Sequence, residues 1–451
     1  MKFSDKKCMA LALAVVGAMG FTACNDTLEV LPLEYKEDPN FAPPHINPAW
    51  NLVEVDAGLA GNGVYAYKDK LYDGLFTRTL GWNGGDGVLT VKLPDGNLFW
   101  TFNDSFYGVV EEDTRARGAC SFPRNSTMVQ SRENGHLGET DEHLHWLARF
   151  NQTTDPSKDG YYKAFTHIDH PKAGTEQPRN GDGIAQDYLY WSGDGTIVNG
   201  KLQLIWMGVH TPNDGSGAMI NQNAAIATYS LEGKPGDPNY LKMESIDHDF
   251  IPENPYGYGS TLWEDEDGHC YLYSSTGNGQ FLGNVPIVAR TATHDLSSEW
   301  EYYVPTDEGD FVWKKEYPTQ LEAQNSGIAP DQGSLTLPWV FKKGDWYYMV
   351  AQSFPFGKEL NILRSEHPWG PFTDKKVLLK FPSTLDKIGV QTYQHLYMLN
   401  LHPGLSRDGE LVISTNSDCS NFWDNFNAVG SADFYRPFFF RIFKWERAFE
   451  N

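Results

Sequence analysis

From about residue 51 to residue 446 the chain repeats one short pattern: an apolar run, a tight polar turn and a second apolar run. The runs are rich in β-branched and aromatic residues and are bounded by Gly, Asp, Asn and Pro. Almost none has apolar positions at helical spacing, so the pattern predicts strands. Five hairpins are expected, pairing 88–93 with 98–102, 188–198 with 201–209, 260–263 with 270–274, 334–341 with 346–351, and 395–401 with 411–415. Asn-Gly and Asp-Gly turns between such runs are the strongest local hairpin signal. Each hairpin is followed by a further strand-like run, at 126–130, 224–230, 286–291, 360–365 and 437–445. A hairpin plus a third strand, five times over, predicts an all-β fold, a five-bladed β-propeller. A pair of β-sandwiches would require no such recurrence.

The N-terminal end breaks the pattern. Lys2, Lys6 and Lys7 lead into an apolar run of 13 residues, 9–21, which suits an export signal and is too short to span a bilayer. It closes on Phe21-Thr22-Ala23-Cys24, which resembles the lipobox of bacterial lipoproteins. The expected division is a signal peptide over 1–23, a lipidated Cys24 with a proline-rich tether over 24–50, and the propeller over 51–451. The expectation is therefore an exported monomer, lipid-anchored to the bacterial outer membrane.

Composition narrows the chemistry. The formal charge is −23, and the leader carries three lysines against one aspartate, so its removal leaves −25. Such a chain is repelled by phosphate backbones, which argues against a nucleic-acid partner. The cysteines are Cys8, Cys24, Cys120, Cys270 and Cys419, widely spread and without metal-ligand spacing, so buried free thiols are expected. No nucleophile elbow, zinc-protease motif or phosphate loop is present. No cofactor is implied, and a structural calcium finds no supporting spacing.

Antiparallel pairing brings the start of each hairpin's first strand and the end of its second to one common rim. If Leu93 pairs with Leu98, Asp104 faces Gly87 and Asp86 faces Ser105, which makes the two aspartates diagonal neighbours. Two carboxylates at that range repel, one keeps its proton, and such a pair suits glycoside hydrolysis. Asp86 and Asp104 are the expected catalytic pair. Taken singly, an Asp beside Gly at a strand end is more often a turn residue. The same rim argument nominates Asp187, Trp191, His210, Tyr258, Asp331, Gln332, Gln352, His402 and Asn416 for substrate binding, with Arg436 beyond them. For any one of the aromatics, packing between blades is the more common role.

Three segments carry a family resemblance. Asn361-Ile362-Leu363-Arg364-Ser365 with Gly370-Pro371-Phe372 resembles a segment of five-bladed glycosidase propellers. The stretch 401–416 with Tyr435-Arg436-Pro437-Phe438, and Gly85-Asp86-Gly87 through Phe106 with Asn125-Ser126, are similar to Bacteroidetes lipoproteins of a domain of unknown function. Those are related to the endo-D-arabinofuranase propellers of glycoside hydrolase family 183. The arabinofuranase pattern has Gly-Asp-Thr where this chain has Asn103-Asp104-Ser105, which keeps the acid and weakens transfer of the substrate. The resemblance implies a glycoside hydrolase acting on a complex, arabinan-like polysaccharide. A non-catalytic lipoprotein that captures oligosaccharide for uptake is the alternative. A lyase would need an Arg or Lys facing a uronate and a base to abstract the proton, roles for which Arg436 and His402 are the candidates.

Overall fold

The computed structural model describes residues 52–55, 63–118, 120–147, 149–150, 164–381, 394–419 and 421–450. The leader, Cys24 and the proline-rich segment lie outside the described residues. The rest forms a five-bladed β-propeller whose inner strands follow one another around a central channel. Blade one comprises Leu89–Lys92, Leu98–Phe102, Ser126–Gln130 and Leu144–Trp146, and blade two Tyr188–Val198, Lys201–His210, Ile220–Leu231 and Tyr240–Ile251. Blade three comprises Thr261–Glu264, Cys270–Gly277, Asn284–Thr291 and Trp300–Pro305, with Phe311–Lys314 at its edge. Blade four comprises Leu335–Lys343, Trp346–Ser353, Glu359–Ser365 and Thr373–Lys380. The five hairpins and their third strands therefore fall where the pattern predicts them. The turns fit as well: Asn199 and Gly200 both take positive φ between the paired Val198 and Lys201.

Blade five departs from a simple reading along the chain. Gln394–Leu401, Glu410–Cys419 and Phe438–Phe443 supply its first three strands, and Tyr65–Asp69 from the other end of the chain supplies the fourth. Tyr65 pairs with Phe443 and Lys68 with Phe440. Such a pairing over nearly the whole chain leaves no mark on local periodicity.

The strands look uniformly apolar because most of them have no solvent face. In blade one, Leu98, Trp100 and Phe102 pack toward blade five, while Phe99, one face over, packs with Leu202, Leu204 and Trp206 of blade two. In blade three, Tyr271 and Tyr273 face blade four while Cys270 and Leu272 face blade two. A side-chain period of two thus alternates between two cores instead of between core and water. Cys270 and Cys419 are buried thiols, and Cys120 is half-buried and also free.

The seam where the ring closes holds a buried ion triad. Arg441 donates to Asp69 through Nε at 2.6 Å and to Glu410 through Nη1 at 2.9 Å, and Arg407 also donates to Glu410 at 2.8 Å. Asp69 is on the N-terminal strand and Arg441 on the strand it closes against, so the pair ties the two ends of the chain together. Removing Arg441 leaves the buried Asp69 carboxylate without a cation and Glu410 with Arg407 alone, which is strongly destabilising. Arg441→Met is expected to lower unfolding free energy by ~3–5 kcal/mol in a denaturant titration. A loss below ~1 kcal/mol, the level of an exposed ion pair, would show that closure does not rest on this triad.

Candidate active site at the channel mouth

The first hairpin is longer than its two blade strands. Leu80–Gly85 and Ser105–Val109 pair beyond them, with Gly85 opposite Ser105, while Leu89 pairs with Thr101. Between these ladders the chain is interrupted, and Asp86 and Asp104 sit at the interruption. Asp86 N–H donates to the Asp104 carbonyl at 3.2 Å, and Asn103 N–H donates to the Asp86 carbonyl at 2.8 Å. The two aspartates are therefore direct partners, which corrects the diagonal register expected above. The cause lies in the distal turn. Leu93 N–H bonds the Asn97 carbonyl, so the loop is Pro94-Asp95-Gly96 and Lys92, not Leu93, pairs with Leu98. Gly87 makes the interruption feasible: it has φ +58°, and any Cβ there would strike the Asn103 side chain.

Neighbouring blades hold each acid differently. Asp86 Oδ2 accepts from the Tyr397 hydroxyl at 2.6 Å and the Tyr435 hydroxyl at 2.9 Å, both from blade five. Asp104 Oδ1 faces Arg124 Nη1 at 3.4 Å and accepts from the Trp191 indole at 3.3 Å, the latter from blade two. Both carboxyls are buried. Burial, and then the Asp104 charge, push Asp86 up to about 8 against the pull of the two tyrosines, with Asp418 adding a further upward push. Burial also raises Asp104, but Arg124 opposes it. The two titrate as a pair, and the Arg124 charge favours the proton on Asp86.

The mouth is braced across the blade seam. Tyr435 has φ +54°, an uncommon conformation for a bulky residue, and is pinned at both ends. Its N–H donates to the Ser417 carbonyl at 3.1 Å, and its carbonyl accepts from Gly85 N–H at 2.8 Å. Asn416 Nδ2 donates to the Gly85 carbonyl at 2.7 Å, so it positions the residue before Asp86. Beneath lies Arg117, fully buried, with its guanidinium bonded to Asn83 Oδ1 and to the carbonyls of Asn83, Asn425, Ser431 and Phe434.

The other nominated residues divide sharply. Trp191 joins the pair. His210 is stacked on Tyr188 at 4.3 Å and bonded to Glu176 at 2.8 Å on the blade-two rim. Asp331 lies exposed and Gln332 half-buried in the loop that leads into blade four. Asp187 is spent on the backbone: its carboxylate accepts from the N–H groups of Gly174, Glu176, Gln177 and Tyr188, which outweigh its burial and bring it down to about 2. It folds the 174–177 loop and has no free acceptor for tuning a catalytic acid.

Four nominations are corrected. Tyr258 is fully buried in the core between blades two and three, where no sugar reaches it. Gln352 is buried and donates to the carbonyls of Gly357 and Leu396. His402 lies past the far end of its strand, between Thr90 and Ser414 and against Trp100, and burial drives its pKa to about 3. Arg436 is buried over the Phe438 ring, donating to the Pro437 carbonyl, because chain alternation turns it away from the mouth that Tyr435 faces. Tyr397, Tyr435 and Arg124 are the participants that the sequence reading missed. Tyr397 pairs directly with the nominated Asn416, so the strand register alone points toward it.

A cavity of about 1250 Å³ opens at the opposite mouth, lined in part by Lys92, Arg132, Asp194, Glu264 and Trp339. Burial raises Asp194 there to about 7, yet its two oxygens accept from Gly195 and Leu262 N–H, so it braces blade two against blade three. The acid pair with an unspent carboxyl oxygen is at the other end.

Fold and site together define a five-bladed β-propeller with a paired-carboxylate centre at one channel mouth. The chain belongs to the family described as a domain of unknown function, DUF5005, which matches residues 69–445. It is similar to a Bacteroides ovatus protein named as a candidate hydrolase, at 54% identity over 92% of this chain and 99% of that one, with a TM-score of 0.84. More distant in fold is the Cellvibrio cellulosa α-L-arabinanase, at 13% identity over 80% of this chain and 91% of that one, with a TM-score of 0.39. A Vibrio xylan 1,3-β-xylosidase is 24% identical over 185 residues, 39% of this chain and 28% of that enzyme, so the match spans under a third of its length.

The raised Asp86 pKa has a stability signature. Between the ordinary carboxyl value of 3.8 and about 8, the folded chain keeps a proton that the unfolded chain releases, so this group costs stability as pH rises through that window. Asp86→Asn removes the titration. Its melting temperature is expected to match the parent near pH 4 and to exceed it increasingly up to about pH 8, then level off. A difference that stays flat across that range would contradict the buried, proton-holding Asp86.

Proposed function

We propose that this chain is a glycoside hydrolase acting on a complex polysaccharide, with a furanose-containing, arabinan-like polymer as the first candidate. We further propose that it is exported and held at the outer membrane by a lipid on Cys24, a reading supported by the pattern over residues 1–24. One observation carries the enzymatic reading. Two buried carboxyls sit opposite each other at a channel mouth, one keeping its proton to about pH 8 and the other beside Arg124. The motif resemblance to arabinofuranase propellers supports the choice of sugar.

In this mechanism Asp86 is the general acid. Its Oδ2 is occupied by the two tyrosine hydroxyls, so the proton sits on Oδ1 and passes to the glycosidic oxygen as the C–O bond breaks. The same hydroxyls then stabilise the carboxylate that forms. Asp104, whose charged form Arg124 favours against burial, takes the role of the negative charge opposite the cationic transition state, either by activating water or by attacking the anomeric carbon. Trp191, bonded to Asp104, offers an apolar ring at the same spot.

The test is digestion of arabinans, xylans and other polysaccharides by the parent, Asp86→Asn and Asp104→Asn, with products read by chromatography. Each variant is expected to lose on the order of a hundredfold or more in rate. Tyr435→Phe removes a bond to the Asp86 anion, so its pKa rises and the alkaline limb of the rate profile moves up by about one pH unit. Binding without cleavage by all the proteins would replace hydrolysis with oligosaccharide capture.

A further inference from the structure

In each blade the second strand runs back to the mouth where the first began, so the loop from second to third strand lies at the acid-pair end. Large apolar side chains are exposed on four of these loops: Met219 at 60%, Phe281 at 94%, Phe356 at 47% and Trp423 at 65%. The blade-five loop reaches the acid pair itself. The Phe422 ring lies 6.4 Å from Tyr435, whose hydroxyl bonds Asp86, and 6.0 Å from Trp423. Phe426 packs under both, at 5.8 Å from Phe422 and 5.6 Å from Trp423. A line of rings therefore leads outward from the acid, and Trp423 is braced on one side and open on the other.

We propose that Trp423 and Phe422 form a stacking subsite for a neutral glycan chain that extends from the acid pair, so that the protein grips a polymer instead of a short terminal unit. This inference rests on the glycoside hydrolase reading. Continuity with the acid pair identifies the occupant, and charge narrows it. The chain carries −23, and Asp86, Asp104 and Asp418 interact at the mouth, where Arg124 is already engaged by Asp104 and Gln186. An anionic lipid surface or a polyanionic chain is repelled there, whereas the C–H face of an uncharged sugar gains contact with an indole at no electrostatic cost.

The test uses the full chain with Asp86→Asn to stop turnover, titrated calorimetrically with linear arabino- and xylo-oligosaccharides of increasing length. Trp423→Ala is expected to weaken binding of the long oligosaccharides about tenfold and leave the shortest unchanged, with Trp423→Phe recovering most of the loss. In the active parent background the same change raises KM on polymer without lowering kcat on short substrates. Identical length dependence with and without the indole would overturn the subsite, as would no binding of any oligosaccharide. Trp423-dependent sedimentation with anionic vesicles, or Trp423-dependent self-association, would overturn it in favour of a lipid surface or a second copy. Hydrolysis by the parent separates the two ideas: cleavage with no Trp423 effect removes only the subsite, and Trp423-dependent binding with no cleavage removes only the enzyme.

Discussion

Every blade of this protein is buried on both faces, so no blade is stable without two neighbours, and the ring must close. Closure is made by a strand from the start of the chain, Tyr65–Asp69, laid against one from its end, Phe438–Phe443. The Arg441 guanidinium, held between Asp69 and Glu410, fixes that contact in a region where an uncompensated charge would be costly. Two of the inter-blade cores, those on either side of blade five, depend on it.

The same seam builds the candidate active site. Asp86 and Asp104 come from blade one, but the hydroxyls that bond Asp86 come from blade five, and so does the Asn416 amide that holds the Gly85 carbonyl. Ring closure and acid geometry are thus one structural event. That coupling accounts for the density of fully buried polar contacts here, including an Arg117 guanidinium satisfied largely by backbone carbonyls.

Three buried aspartates show how environment assigns different work to one side chain. Asp187 accepts four backbone N–H bonds and is brought down to about 2, which makes it a permanent anion that folds a loop. Asp194, with two such bonds, stays near 7 and braces two inner strands. Asp86 has no backbone donor to its carboxyl, has a second acid opposite it, and keeps its proton to about 8. Desolvation acts on all three: four backbone donors overcome it at Asp187, two do not at Asp194, and at Asp86 the Asp104 charge adds to it against two tyrosine donors.

Local physics made much of this legible from the chain alone. Hairpins formed by neighbouring segments and closed by Asn-Gly or Asp-Gly turns could be read directly, and repetition of that unit determined the five-bladed fold. Asp86 and Asp104 were readable because a single hairpin brings them together, although the register was one residue off where Asn97 joins the closing pair. What lay beyond one hairpin was decided by tertiary structure: the closing strand, Tyr397, Tyr435 and Arg124 at the acids, and the burial of Tyr258, Gln352 and His402. The reason is that a propeller strand alternates between two cores, so sequence periodicity cannot distinguish a residue at the mouth from one packed between blades.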